Sequence, residues 1–278
     1  MQFISDGATL FAQQTGAGPD VVLLHPTPVD HTFWLPVAWM LEPAYRVWMP
    51  DLRGHGNSEL TTSQADLGPS QASAGRLTIE LMARDIVAMM REARIERALF
   101  AGCSIGSYLL FELWRQIPER IEGLAFCCGK PQADSPDARA QRARTIEEIE
   151  RQGTSAFFER MLQTLVGEPA ARSRPAMLTE LRRMMERMQP EAVIATQRAL
   201  GERPDSVRAA ATIRVPAMVL AGALDPASTP AEMKQLADVL PNAEFHLLQE
   251  LGHYAPYERP DVVGTLLRRF CDSVPRSR

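Results

Sequence analysis

The chain has 278 residues, of which 45% are hydrophobic and 23% are charged, and its formal net charge is −4. This composition is typical of a globular protein, and the length suits one α/β domain that carries an insertion. Because basic residues are not in excess, the charge argues against nucleic acid as a partner.

Targeting and cysteine patterns point to the same class of protein. No stretch has the length of apolar sequence that a membrane-spanning helix needs, and the first twenty residues lack the pattern of a secretory signal. The four cysteines have spacings that match neither a zinc site nor a small disulfide framework. The sequence therefore predicts a reduced, cytoplasmic protein that is not bound to a membrane.

Short apolar runs recur in the first half of the chain and again near its end. Continuous apolar runs of this length are typical of strands that are buried on both faces of a parallel sheet. The pattern at residues 2–5 and 9–14 predicts an antiparallel hairpin at the sheet edge. The predicted parallel strands are residues 21–24, 46–49, 98–101, 124–128, 217–221 and 245–248.

Helical patterns alternate with these strands. They cover residues 78–92, 105–117 and 259–271, and the alternation predicts a mostly parallel, doubly wound α/β sheet. The middle of the chain has apolar residues at the i, i+3, i+4 and i+7 spacing of amphipathic helices. We therefore expect a core of residues 1–130 and 212–278, and a helical cap of residues 131–211.

The pentapeptide Gly102-Cys103-Ser104-Ile105-Gly106 lies where a predicted strand ends and a predicted helix begins. A G-x-S-x-G sequence in this context forms a sharp turn that lifts the serine hydroxyl above the sheet edge. The glycines are needed because a Cβ atom would crowd the neighbouring strand and helix. The pattern predicts Ser104 as a nucleophile, and the neighbouring Cys103 as a small buried residue.

A serine hydroxyl is a weak nucleophile without a base, and the predicted base is His253. This histidine lies in a Gly-His-Tyr sequence directly after the last predicted strand. The other histidines fit less well, because they fall inside a strand or in turn-rich loops. These other histidines are His25, His31, His55 and His246.

The imidazole needs an acid that fixes its tautomer and stabilises its charged form. Asp225 follows the strand at 217–221 and precedes His253, which gives the chain order Ser, Asp, His. Asp134, after the strand at 124–128, is the alternative acid, and Glu250 is a poorer one.

An oxyanion formed during acyl transfer needs two backbone donors. The Ile105 N–H group, directly after the nucleophile, is one candidate. The loop after the first parallel strand reads His25-Pro26-Thr27-Pro28, and proline has no N–H group. Thr27 is therefore the predicted second donor.

Together, these segments resemble the α/β-hydrolase superfamily over nearly the whole chain. The matching segments are the serine turn, the His25-Pro26-Thr27-Pro28 loop, residues 50–58 and the Asp225 and His253 segments. Residues 222–230 are similar to the acid segment of 3-oxoadipate enol-lactonases. The resemblance implies a hydrolase of carboxylic esters or lactones with a helical cap.

The predicted function is hydrolysis of a small carboxylic ester or lactone through an acyl-enzyme. The partner is a small-molecule substrate, and no metal or organic cofactor is implied. Carbon–carbon bond hydrolysis, cofactor-free perhydrolysis and ligand sensing by a receptor-like module remain alternatives on the same scaffold. The predicted pocket residues, which can equally be core residues, are Phe33, Trp34, Met161 and Met184.

Overall fold

The computed structural model describes residues 1–61 and 76–275. Within these residues, eight strands form one sheet in the order β1-β2-β4-β3-β5-β6-β7-β8. The strands are β1 Gln2–Ser5, β2 Ala8–Thr15, β3 Asp20–Leu24, β4 Arg46–Pro50, β5 Ala98–Cys103, β6 Ile121–Cys127, β7 Ala217–Gly222 and β8 Ala243–Leu248.

Strand direction follows the sequence prediction. Strands β3 to β8 pair in parallel, whereas β1 and β2 form an antiparallel hairpin that joins the sheet at β4. Every residue of β5 and β7 is buried. Strand β8 differs from the expectation of burial on both faces, because it is the outer strand and only its last residue is buried.

Helices surround the sheet, and their bounds agree with the three predicted helical patterns to within a few residues. The described helices are α1 Leu35–Leu41, α2 Ile79–Glu92, α3 Ile105–Gln116, α4 Pro136–Gln152, α5 Ser155–Leu165, α6 Glu168–Ser173, α7 Pro175–Met185, α8 Pro190–Glu202, α9 Val207–Ala210, α10 Pro230–Val239, α11 Ala255–Glu258 and α12 Pro260–Ser273. None of them has the length and apolar character needed to cross a bilayer.

The sheet separates two apolar cores, as expected for a doubly wound fold. Along β3, Val21 and Leu23 pack into one core, while Val22 and Leu24 pack into the other. This alternation follows from the two-residue period of a strand. Helices α1 and α12 cover the first core, and α2, α3 and α10 cover the second.

Helices α4 to α8, here called the inserted helices, lie in the chain between β6 and β7. Ser135 caps α4 by accepting a hydrogen bond from the Ala138 N–H group, at 3.2 Å. Proline at the first turn of α4, α7 and α8 favours a helix start there. The inserted helices fall inside the predicted cap, and the division of the chain into core and cap stays a prediction.

Candidate active site

The turn between β5 and α3 holds Ser104 in an unusual backbone conformation, with φ 54° and ψ −115°. An added Cβ atom on Gly102 would lie 2.3 Å from the Gly106 backbone, and one on Gly106 would lie 2.2 Å from the Leu24 carbonyl oxygen. Only glycine fits at these two positions. The close packing therefore forces the chain through a strained turn at Ser104.

A cavity of about 410 Å³ opens beside this turn. Residues that follow five parallel strands lie on its wall, as expected for a site at the carboxyl edge of an open α/β sheet. The cavity brings together Ser104, His253 and Thr27, which the sequence predicts as site residues. The described residues that line it are Thr27, Ser104, Tyr108, Lys130, Asp134, Ala138, Gln141, Arg142, Thr145, Met161, Leu165, Gln197, Leu200, Arg203, Ala227 and His253.

His253 and Asp225 form a buried hydrogen-bonded pair. The distance from His253 Nδ1 to Asp225 Oδ2 is 2.8 Å, and the two side chains are 5% and 0% exposed. The other carboxylate oxygen of Asp225 accepts from the N–H groups of Ala227 and Ser228, at 2.8 and 3.1 Å. The carboxylate therefore holds the proton of His253 on Nδ1, which leaves Nε2 as the basic nitrogen.

The loop that carries His253 is tied to the inserted helices. The His253 N–H group donates to the Leu165 carbonyl at the end of α5, at 2.7 Å. Glu258 is fully buried, and burial raises its pKa. The sequence analysis missed this residue, whose carboxylate accepts from the backbone N–H groups of Gly167, Gly252 and Tyr254.

The backbone N–H groups of Thr27 and Ile105 have no protein acceptor among the described residues. Thr27 lines the cavity, whereas Ile105 is buried and is not among the described wall residues. The Thr27 carbonyl accepts from the Tyr254 hydroxyl at 3.3 Å, and Thr27 Oγ1 lies 3.0 Å from His55 Nε2. Burial, aided by the charge of His25, lowers the pKa of His55 to about 3. The ring is therefore neutral at pH 7, and these two side chains fix the position of the Thr27 backbone.

The predicted pocket residues divide into two groups. Met161 lines the cavity, but Phe33, Trp34 and Met184 are not among its described wall residues. All three belong instead to the apolar core on one side of the sheet. Phe33 and Trp34 are 0% exposed, and the Phe33 ring stacks on Tyr257 with centroids 5.5 Å apart. Aromatic packing, rather than contact with this cavity, explains these positions.

The alternative residues of the sequence analysis also have clear partners. Asp134 pairs with Arg142 and Arg203, at 2.5 and 2.6 Å. Cys103 is fully buried, burial raises the pKa of its thiol, and its Sγ lies 3.5 Å from the His253 carbonyl. A thiol in such surroundings stays protonated and unreactive.

One cluster has the residue types of a metal site. Ligand atoms of Asp30, His31 and Asp51 lie within 4.8 Å of one another. Asp51 Oδ1 accepts from both the backbone N–H and Nδ1 of His31, at 2.7 and 2.8 Å. Asp30 is paired with Arg187 and caps the following turn. Because these atoms already have protein partners, the cluster is explained by hydrogen bonds that hold the loop after β3.

Part of the cavity wall is basic, which was not predicted from the sequence. Arg142 on α4, Arg203 after α8 and Lys130 after β6 lie on this wall with Asp134. Arg203 is stacked on the Tyr108 ring, with its guanidinium carbon 4.4 Å from the centroid. No local sequence signal distinguishes these arginines from the many others, because their meeting depends on how the inserted helices pack.

Comparisons with known proteins identify the family of the chain. A model of the alpha/beta hydrolase family matches residues 21–265. Pimeloyl-(acyl-carrier protein) methyl ester esterase from Xanthomonas oryzae pv. oryzae is 27% identical over 94% of this chain and 98% of its own length. The structure of a thermophilic esterase from Thermogutta terrifontis has a TM-score of 0.88 and 30% identity, covering 98% of this chain and 97% of that chain.

A second solved structure, the enol-lactonase from Burkholderia xenovorans LB400, has a TM-score of 0.87 and 26% identity. It covers 98% of this chain and 100% of that chain. The chain belongs to the alpha/beta hydrolase family. Its resemblance to enol-lactonase-like esterases, expected from the sequence, is confirmed, and the relatives support a hydrolase.

Proposed function

We propose that the protein hydrolyses a small carboxylic ester or lactone through an acyl-enzyme on Ser104. One observation carries the proposal. Ser104 stands at a strained turn on the wall of the same cavity as His253, whose Nδ1 is hydrogen-bonded to the buried Asp225 at 2.8 Å. This is the arrangement that activates a serine hydroxyl.

In the first step, His253 Nε2 takes the proton of Ser104 Oγ as the oxygen attacks the substrate carbonyl carbon. Asp225 stays ionised and stabilises the positive imidazolium that forms. Its carboxylate is held in place by two backbone N–H groups, so the pair needs no rearrangement during the step. The protonated imidazole then donates its proton to the leaving alkoxide, which departs.

The negative oxygen of the tetrahedral intermediate needs donors that are already in place. The N–H groups of Thr27 and Ile105 serve this role in the proposal, and the N-terminus of α3 adds its positive dipole end. Losing one such donor typically costs about 100- to 1,000-fold in rate. Water, deprotonated by His253, then attacks the acyl-enzyme and releases the acid.

The substrate class follows from the size of the cavity and from the relatives. A volume of about 410 Å³ suits a small molecule. The similarity to an esterase and to an enol-lactonase supports ester or lactone hydrolysis. We also propose that the inserted helices act as the cap over this cavity, because α4, α5 and α8 supply part of its wall.

The test compares wild type with Ser104→Ala on a short-chain p-nitrophenyl ester and on an enol-lactone. We expect kcat to fall by roughly 10⁴-fold or more, because the nucleophile is lost. Cys103→Ala is the matched control at the neighbouring position, and we expect it to keep most of the activity. Ester turnover that survives Ser104→Ala would overturn the proposal. A vinylogous β-diketone as a third substrate distinguishes carbon–carbon bond hydrolysis.

A further inference from the structure

Three side chains of the cavity wall, those of Lys130, Arg142 and Arg203, can only donate hydrogen bonds. Asp134 is the one carboxylate among the described wall residues, and its two oxygens are taken by Arg142 and Arg203. Burial opposes the ionisation of Asp134, but the two arginines outweigh it and lower its pKa. Asp134 is therefore charged, and it is already fully engaged by the protein.

Several donor groups on this wall have no acceptor among the described residues. Arg142 uses Nε for Asp134 and Nη1 for Gln197, and its Nη2 has no acceptor among the described residues. Lys130 Nζ donates to Glu232 at 2.7 Å and keeps two further N–H groups. The Tyr108 hydroxyl likewise has no partner within the described chain. These groups are free to donate to an acceptor on a molecule in the cavity.

The basic wall also carries a net positive charge. Lys130, Arg142 and Arg203 are opposed by Asp134 and by Glu232, the partner of Lys130, so that one positive charge is in excess. The side chains of Lys130 and Arg142 are 23% and 25% exposed, so both cations are partly shielded from bulk water. A monoanion with several acceptor lone pairs matches both the charge and the donors.

The basic wall lies close to the reacting centre. The Tyr108 N–H group donates to the Ser104 carbonyl one turn along α3, at 3.2 Å. Arg203 stacks on the Tyr108 ring, which connects the serine turn to the Asp134 cluster. Lys130 follows Gly129, where an added Cβ atom would lie 3.1 Å from the same carbonyl oxygen. One small molecule in this cavity therefore reaches both Ser104 and the basic wall.

We propose that the substrate is an ester or lactone that carries a separate carboxylate, bound by Arg142 and Lys130 while Ser104 attacks the ester carbonyl. This inference rests on the proposed hydrolase function and narrows its substrate class. A carboxylate fits better than a phosphate dianion, because the wall has a single excess positive charge. Met161 and Leu165, on the apolar part of the wall, are placed to contact the hydrocarbon between the two groups.

The kinetic test uses monomethyl esters of linear diacids with four to eight carbons. Each is compared with the matching ester whose free acid is replaced by a carboxamide, which has the same shape but no charge. We expect kcat/KM for the best acid to exceed that of its amide by about 10- to 100-fold, because the free N–H groups of Arg142 and Lys130 bind a carboxylate more strongly than a neutral amide. Equal turnover of the acid and amide series would overturn the inference.

Arg142→Gln and Lys130→Met are each expected to lower this acid-to-amide ratio by about tenfold. Arg139→Gln is the matched control, because Arg139 is an exposed arginine of α4 that is not part of the described wall. The control should keep the wild-type ratio. A ratio that Arg142→Gln and Arg139→Gln change to the same extent would contradict a role for Arg142 in binding.

A binding measurement separates this inference from the proposed mechanism. Calorimetric titration of Ser104→Ala with the diacid, its diamide and inorganic phosphate requires no turnover. We expect the diacid to bind at least about tenfold more tightly than the diamide or phosphate. If ester hydrolysis survives Ser104→Ala but the diacid still binds selectively, the mechanism fails and the anion site stands. Selective binding of phosphate, or of none of the three, would overturn the carboxylate site.

Discussion

The serine turn and the inserted helices differ in how strongly the fold fixes each residue. At the turn, Gly102 and Gly106 leave no space for one additional carbon atom, and every residue of β5 is buried. In α4, by contrast, only Thr145 and Ile149 are buried in a helix of 17 residues. Backbone contacts fix the conformation of the serine turn, whereas α4 presents mostly exposed, charged side chains.

This difference separates two tasks that an enzyme performs. Bond making needs atoms held within fractions of an ångström, which a close-packed turn provides. Substrate choice needs polar groups that can be exchanged without loss of the fold, which an exposed, arginine-rich surface provides. We therefore expect substitutions near the turn to affect kcat or folding, and those in the inserted helices to affect substrate preference.

The largest expected contrast is between two aspartates, Asp225 and Asp134. In Asp225→Asn the carboxylate that orients His253 is lost, and we expect kcat to fall by about 10⁴-fold. In Asp134→Asn the proposed catalytic residues Ser104, His253 and Asp225 are unchanged, so kcat on a neutral ester should stay within roughly tenfold of wild type. Steady-state kinetics of both variants on a p-nitrophenyl ester provide the measurement.

Asp134→Asn has a second expected effect, on stability. The substitution leaves Arg142 and Arg203 without their shared partner, which typically costs about 3 kcal/mol for a buried pair. Urea unfolding of the variant checks this value.

If Asp134→Asn lowers kcat as much as Asp225→Asn does, the assignment of Asp225 as the orienting acid is wrong.

Two glycines provide a smaller contrast, in the free energy of unfolding. A methyl group at Gly106 would lie 2.2 Å from the Leu24 carbonyl oxygen, so Gly106→Ala should lose about 3 kcal/mol or more. At Gly201 in α8 the nearest atom is Arg142 Cδ at 3.5 Å, and alanine favours a helix. Gly201→Ala should therefore gain about 0.5–1 kcal/mol.

Urea denaturation followed by circular dichroism measures both glycine variants under the same conditions. The comparison between the two regions predicts opposite signs. Equal destabilisation by Gly106→Ala and Gly201→Ala would mean that the inserted helices are as tightly constrained as the serine turn.

The last contrast concerns pH and His55, whose Nε2 lies 3.0 Å from Thr27 Oγ1. Burial lowers the pKa of His55 from 6.5 to about 3 in the folded protein, so the unfolded chain binds an extra proton between these values. The stabilising contribution is complete above pH 6.5 and is lost as pH falls toward 3. The slope reaches at most about 1.4 kcal/mol per pH unit.

Free energies of unfolding at pH 7, 6, 5 and 4 measure this contribution. Wild type should lose stability over this range, and His55→Gln should have a flatter profile. Asp134, which is paired with Arg142 and Arg203, has its pKa lowered from 3.8, so its own contribution is lost only at more acidic pH. Parallel profiles for wild type and His55→Gln would show that His55 does not cause the loss of stability at low pH.

Much of this architecture could be predicted from the sequence, because its signals are local. Buried parallel strands are continuous apolar runs, and the six predicted runs coincide with strands β3 to β8, except that the run at 124–128 extends one residue past the end of β6. The serine turn was found because glycine is required on both sides of it. The edge position of β8 could not be predicted in the same way, because burial depends on which strands become neighbours.

The parts that the sequence did not predict depend on contacts between distant segments. Arg142 and Arg203 meet through Asp134, and nothing near either arginine indicates this. Phe33 and Trp34 are expected at the pocket because they follow the Thr27 loop. In the structure, both side chains are buried in the apolar core instead. Chain proximity to a site residue does not determine on which side of a loop an aromatic ring packs.

The central claim is that Ser104 is the nucleophile, and covalent labelling tests it most directly. Diethyl p-nitrophenyl phosphate reacts with activated serines and releases p-nitrophenol as it leaves a phosphoryl group on the attacking oxygen. We expect one equivalent of p-nitrophenol, loss of esterase activity, and a mass-spectrometric adduct on the peptide at Ser104 that is absent from Ser104→Ala. An adduct at Cys103, or inactivation without modification of Ser104, would contradict it.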